Sequence, residues 1–317
     1  VNKLRTIIAL LSAAFFAPIL AQADNLWGSS ENFQVAADSQ PSAYGLEFAK
    51  ATKKIHATDA ASVSDASGTV FDNSQSFLQL YSGLDFSFLE DVVNGSNGWV
   101  SGIKATDPGA AINGGGNNLG IQAGALFGIH LDPSNSLALD LGGIFTFGNN
   151  WHATVAGGSI TQNLGPVVAS ASLDYILDII KAPGARTYIT AGAGWYHAMV
   201  TDELTEATSG GTTVLGGTFT GDTVGGTLGI GEEVDLGGSF GLDISVKGRY
   251  ASFSKVSNSS VQALDGTGSS SIGYLPTTGT HVVVPYTDAG IASTPGARDA
   301  VIDYSGIDAK VALNLYL

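Results

Sequence analysis

Residues 240–250 read FGLDISVKGRY. Phe240, Leu242, Ile244, Val246 and Tyr250 share one alternating set of positions, and Asp243, Ser245, Lys247 and Arg249 share the other. Side chains alternate across a β-strand with period two, so this stretch is a strand with one apolar and one polar face. In a soluble sandwich the charges would face water and the apolar side a core. In a barrel that crosses a membrane the directions are reversed, with the apolar side against lipid and the charges in the lumen.

The same period recurs in seven further segments. FLQLYSGLDFSFL (77–89) sets Leu78, Leu80, Leu84, Phe86 and Phe88 against Gln79, Tyr81, Asp85 and Ser87. LGIQAGALFGIHL (119–131) sets Leu119, Ile121, Phe127, Ile129 and Leu131 against Gln122 and His130. SLALDLGGIFTF (136–147) carries Asp140 opposite its leucines, and PVVASASLDYIL (166–177) carries Asp174 opposite Val167, Leu173 and Tyr175. TYITAGAGWYHAMV (187–200) has aromatics on both faces, with Ile189, Trp195 and Met199 assigned outward by analogy with its neighbours. TVGGTLGIGEEV (223–234) places glycines 225, 229 and 231 with Glu233, and GIDAKVALNLYL (306–317) places Asp308, Lys310, Asn314 and Tyr316 on its polar face.

The connections alternate strictly in length. DPSN (132–135), DIIKAPGAR (178–186) and DLGGS (235–239) are short, with the Asp, Pro and Gly chemistry of tight turns. Between them lie long polar connections at about 90–118, 148–165, 201–222 and 254–303. Turns sorted to one rim and loops to the other belong to outer-membrane barrels, and segments of about eleven residues suit a tilted transmembrane strand. Strands of soluble sandwiches average five or six residues.

The head of the sequence agrees. VNKLRTIIALLSAAFFAPILAQA combines Lys3 and Arg5, an apolar run and an Ala21-Gln22-Ala23 cleavage site, the pattern of a secretory signal peptide over 1–23. No later segment offers the twenty or so apolar residues of a membrane helix. Of 13 Lys and Arg, two lie in that peptide, leaving 11 bases against 28 acids and a net charge of about −17, which argues against nucleic acid as a partner. Cysteine is absent, so disulfides and thiolate metal sites do not arise. Residues 24–75 fall outside the alternation and read as a periplasmic extension. A strand pair at 43–57, giving ten strands in all, is the alternative.

Together the eight segments, from about residue 77 to residue 317, resemble the small outer-membrane barrels of the OmpA/OmpX/OmpW type. The glycine-rich 223–234 segment, FGLDISVKGRY and the final DAKVALNLYL carry the likeness. It implies insertion by the outer-membrane assembly machinery through a C-terminal signal, here Val311, Leu313, Leu315, Tyr316 and Leu317. Those families usually end in Phe or Trp, whereas this chain ends Tyr316-Leu317. The fold expected is an all-β, eight-stranded antiparallel transmembrane barrel over 76–317, with short periplasmic turns and long extracellular loops, set in outer-membrane lipid and lipopolysaccharide.

On that fold the inward groups are Asp85, His130, Asp140, Asp174, Glu233, Asp243, Lys247, Arg249, Asp308 and Lys310. Basic charges on a lipid face would cost about 2–4 kcal/mol each at mid-membrane, so they turn inward. Ionised groups in so narrow a lumen need partners, and Lys247, Arg249 and Lys310 are expected to meet Asp85, Asp243 and Asp308. The inward glycines, with Gly192 and Gly194, leave room for Lys247 and Arg249. One reading is a lumen closed by this network, giving a structural or surface-interaction protein. The other is a narrow cation-preferring channel or small-solute transporter, since six inward acids face three bases.

Catalytic patterns are weak. None of the five histidines stands two residues from a serine on a strand face, as in lipid A deacylases, and His130 facing Asp140 reads as structural. No enzymatic activity, metal or cofactor is expected. The 254–303 connection, with its apolar run 282–286, is where an extracellular ligand would bind.

Overall fold

The computed structural model describes residues 74–277 and 280–317, so the signal peptide and the segment 43–57 lie outside the described residues. The first elements are β1 (Ser76–Ser87), α1 (Glu90–Thr106), β2 (Ala111–Gly114), β3 (Leu119–Asp132), β4 (Asn135–Thr146) and β5 (Trp151–Val155). Then come β6 (Gly158–Ala182), β7 (Ala185–Thr208), β8 (Gly211–Gly237) and β9 (Phe240–Tyr250). The rest are β10 (Ser252–Phe253), β11 (Ser257–Ala263), β12 (Gly266–Thr277), β13 (Thr280–Thr287), α2 (Asp288–Ser293), β14 (Arg298–Asp299), β15 (Ile302–Asp303) and β16 (Gly306–Tyr316).

Eight of these strands close a ring. β1, β3, β4, β6, β7, β8, β9 and β16 pair antiparallel in that order, and β16 pairs back to β1. Following paired residues from Thr146 through Gly120, Asp85, Asp308, Lys247, Gly229, Thr190 and Ile176 returns to β4 at Ser136, ten residues from the start (146 to 136). With about 3.3 Å per residue and about 4.8 Å between strands, that stagger tilts the strands by about 40° from the ring axis. No edge is left open in the ring.

The charges of FGLDISVKGRY point inward. Val246 is 47% exposed, while Lys247 and Arg249 are 5% and 6% exposed. The same alternation runs around the ring and leaves a belt of exposed apolar side chains, among them Leu80, Phe127, Leu139, Leu173, Leu228 and Leu313. Ile189, Trp195 and Met199 face outward as expected. Outward aromatics gather toward the end with the long connections, at Phe86, Phe88, Phe145, Phe147, Trp195 and Tyr250.

At the other end the turns are tight. They comprise residues 133–134, 183–184 and 238–239, and in the last two Gly184 and Gly238 hold a left-handed φ. The middle one is shorter than the expected 178–186, because β6 continues to Ala182 and β7 begins at Ala185. Asp178 and Arg186 therefore belong to strands.

The long connections are not loops. β6, β7 and β8 run on past the apolar belt, and the remaining pieces fold against them as a cap. β11, β12 and β13 form a meander, α1 lies on β13, and a core of buried residues joins the ring's upper interior (Ile144, Val168, Tyr196) to the cap (Leu89, Phe219, Val283, Tyr304). The apolar run 282–286, expected in an exposed binding loop, is mostly the buried strand β13. Burial on both faces explains why it lacks alternation.

Candidate functional site

The ring interior holds its charges in three tiers. Nearest the cap, Arg249 of β9 donates to Asp85 of β1 and to Asp308 of β16, each at 2.7 Å. It also donates to Ser87 Oγ at 3.1 Å and, through Nε, to the Tyr304 carbonyl at 2.7 Å. Ser87 Oγ in turn donates to Asp85 at 2.6 Å. The planar guanidinium presents several donors in fixed directions, and here one side chain ties three ring strands to the cap.

In the middle tier Lys247 donates to Asp174 at 2.6 Å and to Asp140 at 3.2 Å. Tyr81 donates to Asp140 at 2.6 Å, and Ser172 to Asp174 at 3.1 Å. Lys310 stands 3.6 Å from Asp140 and 4.1 Å from the centre of the Tyr81 ring. In the lowest tier Arg186 donates to Glu233 at 2.8 and 3.0 Å and to Asp178 at 3.3 Å. Tyr316 donates to Glu233 and accepts from Arg186 at 3.2 Å. Phe77, Leu126, Ile176, Tyr188 and Tyr316 pack together around that end.

The pairing expected from sequence holds for Arg249 with Asp85 and Asp308. Lys247 and Lys310 instead meet Asp140, and Lys247 also Asp174, because paired residues of tilted strands lie at different heights in the lumen. Asp243 has no ion pair among the described residues and accepts from Tyr188 at 2.6 Å. His130 shares a hydrogen bond with Ser136 at 2.8 Å, its register partner, and stacks on Tyr316 rather than meeting Asp140.

Room for these groups comes from inward glycines, for Lys247 as expected and for several other side chains besides. A Cβ on Gly229 would meet Lys247, one on Gly231 or Gly225 would meet Tyr188 or Tyr196, and one on Gly192 would meet Asp174. Gly124 and Gly142 together accommodate Tyr81, and Arg249 is not among the nearest neighbours of any glycine among the described residues. Arg186 and the tyrosines at 81, 188 and 316 are the members of the network that the sequence reading passed over as a group of charge partners. The signal for Arg186 and Tyr188 was the alternation Arg186, Tyr188, Thr190, hidden by turn-like residues before it, while Tyr81 and Tyr316 stood on faces already read as polar.

Among the described residues seven lumen acids (Asp85, Asp140, Asp174, Asp178, Glu233, Asp243, Asp308) face four bases (Arg186, Lys247, Arg249, Lys310). Two cavities of about 20 Å³ separate the tiers, each large enough for about one water molecule. The lower one is lined by Asp243 and Thr190, whose Oδ1 and Oγ1 have no protein partner among the described residues.

No protein-family model matches the chain, and no curated protein matches it. Among solved structures it is similar to the crystal structure of Ail, the attachment invasion locus protein of Yersinia pestis, at 9% sequence identity, covering 77% of this chain and 97% of that one, with a TM-score of 0.31.

Proposed function

We propose that this chain is an integral outer-membrane β-barrel with a structural or surface-interaction role, its lumen closed by the three tiers of ion pairs and its outer mouth by the cap. One observation carries this reading: a belt of exposed apolar side chains surrounds a closed ring whose charged strand residues turn mostly inward. In water such a belt would be a severe aggregation liability; in a bilayer it is the matching surface. A strand of eleven residues at a tilt of about 40° rises about 28 Å, close to the thickness of a hydrocarbon core. In this reading the chain end at Leu317 and the tight connections lie in the periplasm, and the cap lies outside. Val311, Leu313 and Leu315 would then face lipid in the strand read by the assembly machinery, with lipid and lipopolysaccharide as surroundings and no nucleic-acid partner. Catalysis is no part of this role.

The excess of lumen acids over bases favours a second reading, a narrow cation-preferring channel. Planar-bilayer recording of the refolded chain separates the two. A closed lumen gives no steady current in the unmodified protein; cation-selective current would establish the channel instead.

A further inference from the structure

Within the cap one polar chain crosses from the strands that continue the ring to the inserted strand β13. Trp151 Nε1 of β5 donates to Gln162 Oε1 of β6 at 3.0 Å. Gln162 Nε2 donates to the Val283 carbonyl of β13 at 3.0 Å and to Asp202 Oδ1 of β7 at 2.8 Å. Asp202 is wholly buried, and its Oδ2 has no hydrogen-bond partner among the described residues. A carboxylate held by one donor, with no cation beside it, is far less costly to bury as the neutral acid.

The surrounding elements offer no counter-charge. The part of β6 above the belt carries no charged side chain, and that of β8 carries only Asp222, an acid bound to His197 at 2.9 Å. On β5, His152 is bound to Thr161 at 2.7 Å, and on β13, His281 stacks on Tyr274 of β12 while Tyr286 completes the strand's titratable groups. On α1, Asp91 is paired with Arg298 of β14 at 2.5 Å, and Glu90 and Lys104 are exposed. On β7 itself the neighbours are Glu203 and Glu206, both acidic.

We propose that Asp202 is a pH-sensitive catch for the cap: protonated, it lets β13 and α1 seat on the β6–β7 extension, and ionised, it drives them off. Burial pushes its carboxyl up, Gln162's hydrogen bond opposes this, and Glu203 adds to it, with the result at about 7. In the open cap the group returns to the ordinary carboxylate value of about 3.9. The closed form alone holds the proton between about pH 4 and pH 7, so closure weakens as pH rises through that window and is constant above it.

The inference depends on the cap's geometry and not on the membrane reading. Its test is limited proteolysis of the full refolded chain from pH 5 to pH 8, with Asp202→Asn cut in parallel so that the protease's own pH dependence cancels. Wild-type cleavage within the cap, divided by that of Asp202→Asn, should rise about tenfold per unit from pH 5 to about 7 and level off by 8. A constant ratio overturns the proposal. A second measurement needs no variant at Asp202: tryptophan emission of the wild type should titrate near pH 7, and this change should shrink in Trp151→Phe and vanish when Trp99→Phe is added, because the two indoles face each other across the opening. Emission that is flat across the range, or titrates unchanged in the double variant, also overturns it.

Discussion

Arg249 is the residue on which most of the interior converges. It is almost fully buried, bonds two carboxylates, and reaches the Tyr304 carbonyl at the base of the cap. Arg249→Ala would strand Asp85 and Asp308 without their cation. Breaking a buried pair from one side costs about 3–5 kcal/mol, and urea titration of the refolded barrel should show a loss of that size. Lys310 makes the instructive contrast. Among the described residues its one ion contact is 3.6 Å long, and Asp140 keeps Lys247 and Tyr81 when it is gone. Lys310→Met, which keeps the length and apolar stem, should change stability by no more than about 1 kcal/mol. Equal losses for the two variants would mean that the tiers are not ranked as their distances suggest.

At the scale of elements, α1 shows what was hidden in the sequence. Residues 90–106 contain three glycines, which disfavour helix, and no alternation, so the stretch reads as a loop. Two of the glycines are there for packing. A Cβ on Gly95 would collide with Val283, and one on Gly98 with the His281 carbonyl, so the helix can lie directly on the backbone of β13. Gly95→Ala should destabilise the cap by about 1–3 kcal/mol as an overpacking change, despite a gain in helix propensity. Hydrogen exchange would show this as faster opening of α1 and β13 with the ring strands unaltered. The ring strands themselves were legible because an exposed apolar face outside and ion pairs within the lumen keep to period two. Past the belt that rule lapses: 211–223, GTTVLGGTFTGDT, is strand without an apolar face, and its pairing with β7 and β11 reveals it.

For the whole molecule the legible part was direction, meaning which face, which rim and which charges turn inward, and the illegible part was partnership. Alternation places Lys247 in the lumen, but the stagger of ten residues decides that it meets Asp140 and Asp174 rather than its sequence neighbours. Arg186 was missed because Lys181, Pro183 and Gly184 make its surroundings look like a turn. A closed ring held in this way should resist unfolding by SDS at room temperature and migrate faster on gels before heating than after. Recovery of the mature chain in a soluble fraction would end the membrane reading. On intact cells, external protease should cut first at the exposed β7–β8 tip, residues 208–211, and spare the turns at 133–134 and 238–239.

The cap is assembled from four separate stretches of chain, one from each long connection, and contacts such as Trp99 with the Val283 carbonyl join residues 184 positions apart. If the ring spans a bilayer, none of these stretches can complete the cap alone, and each must reach the far side before its partners are present. The cap's apolar residues therefore travel as unfolded chain, and its core forms after β16 has closed on β1. Biogenesis would thus run against the usual order for a domain, with the water-exposed part maturing last and its folding reporting that the wall beneath it is complete.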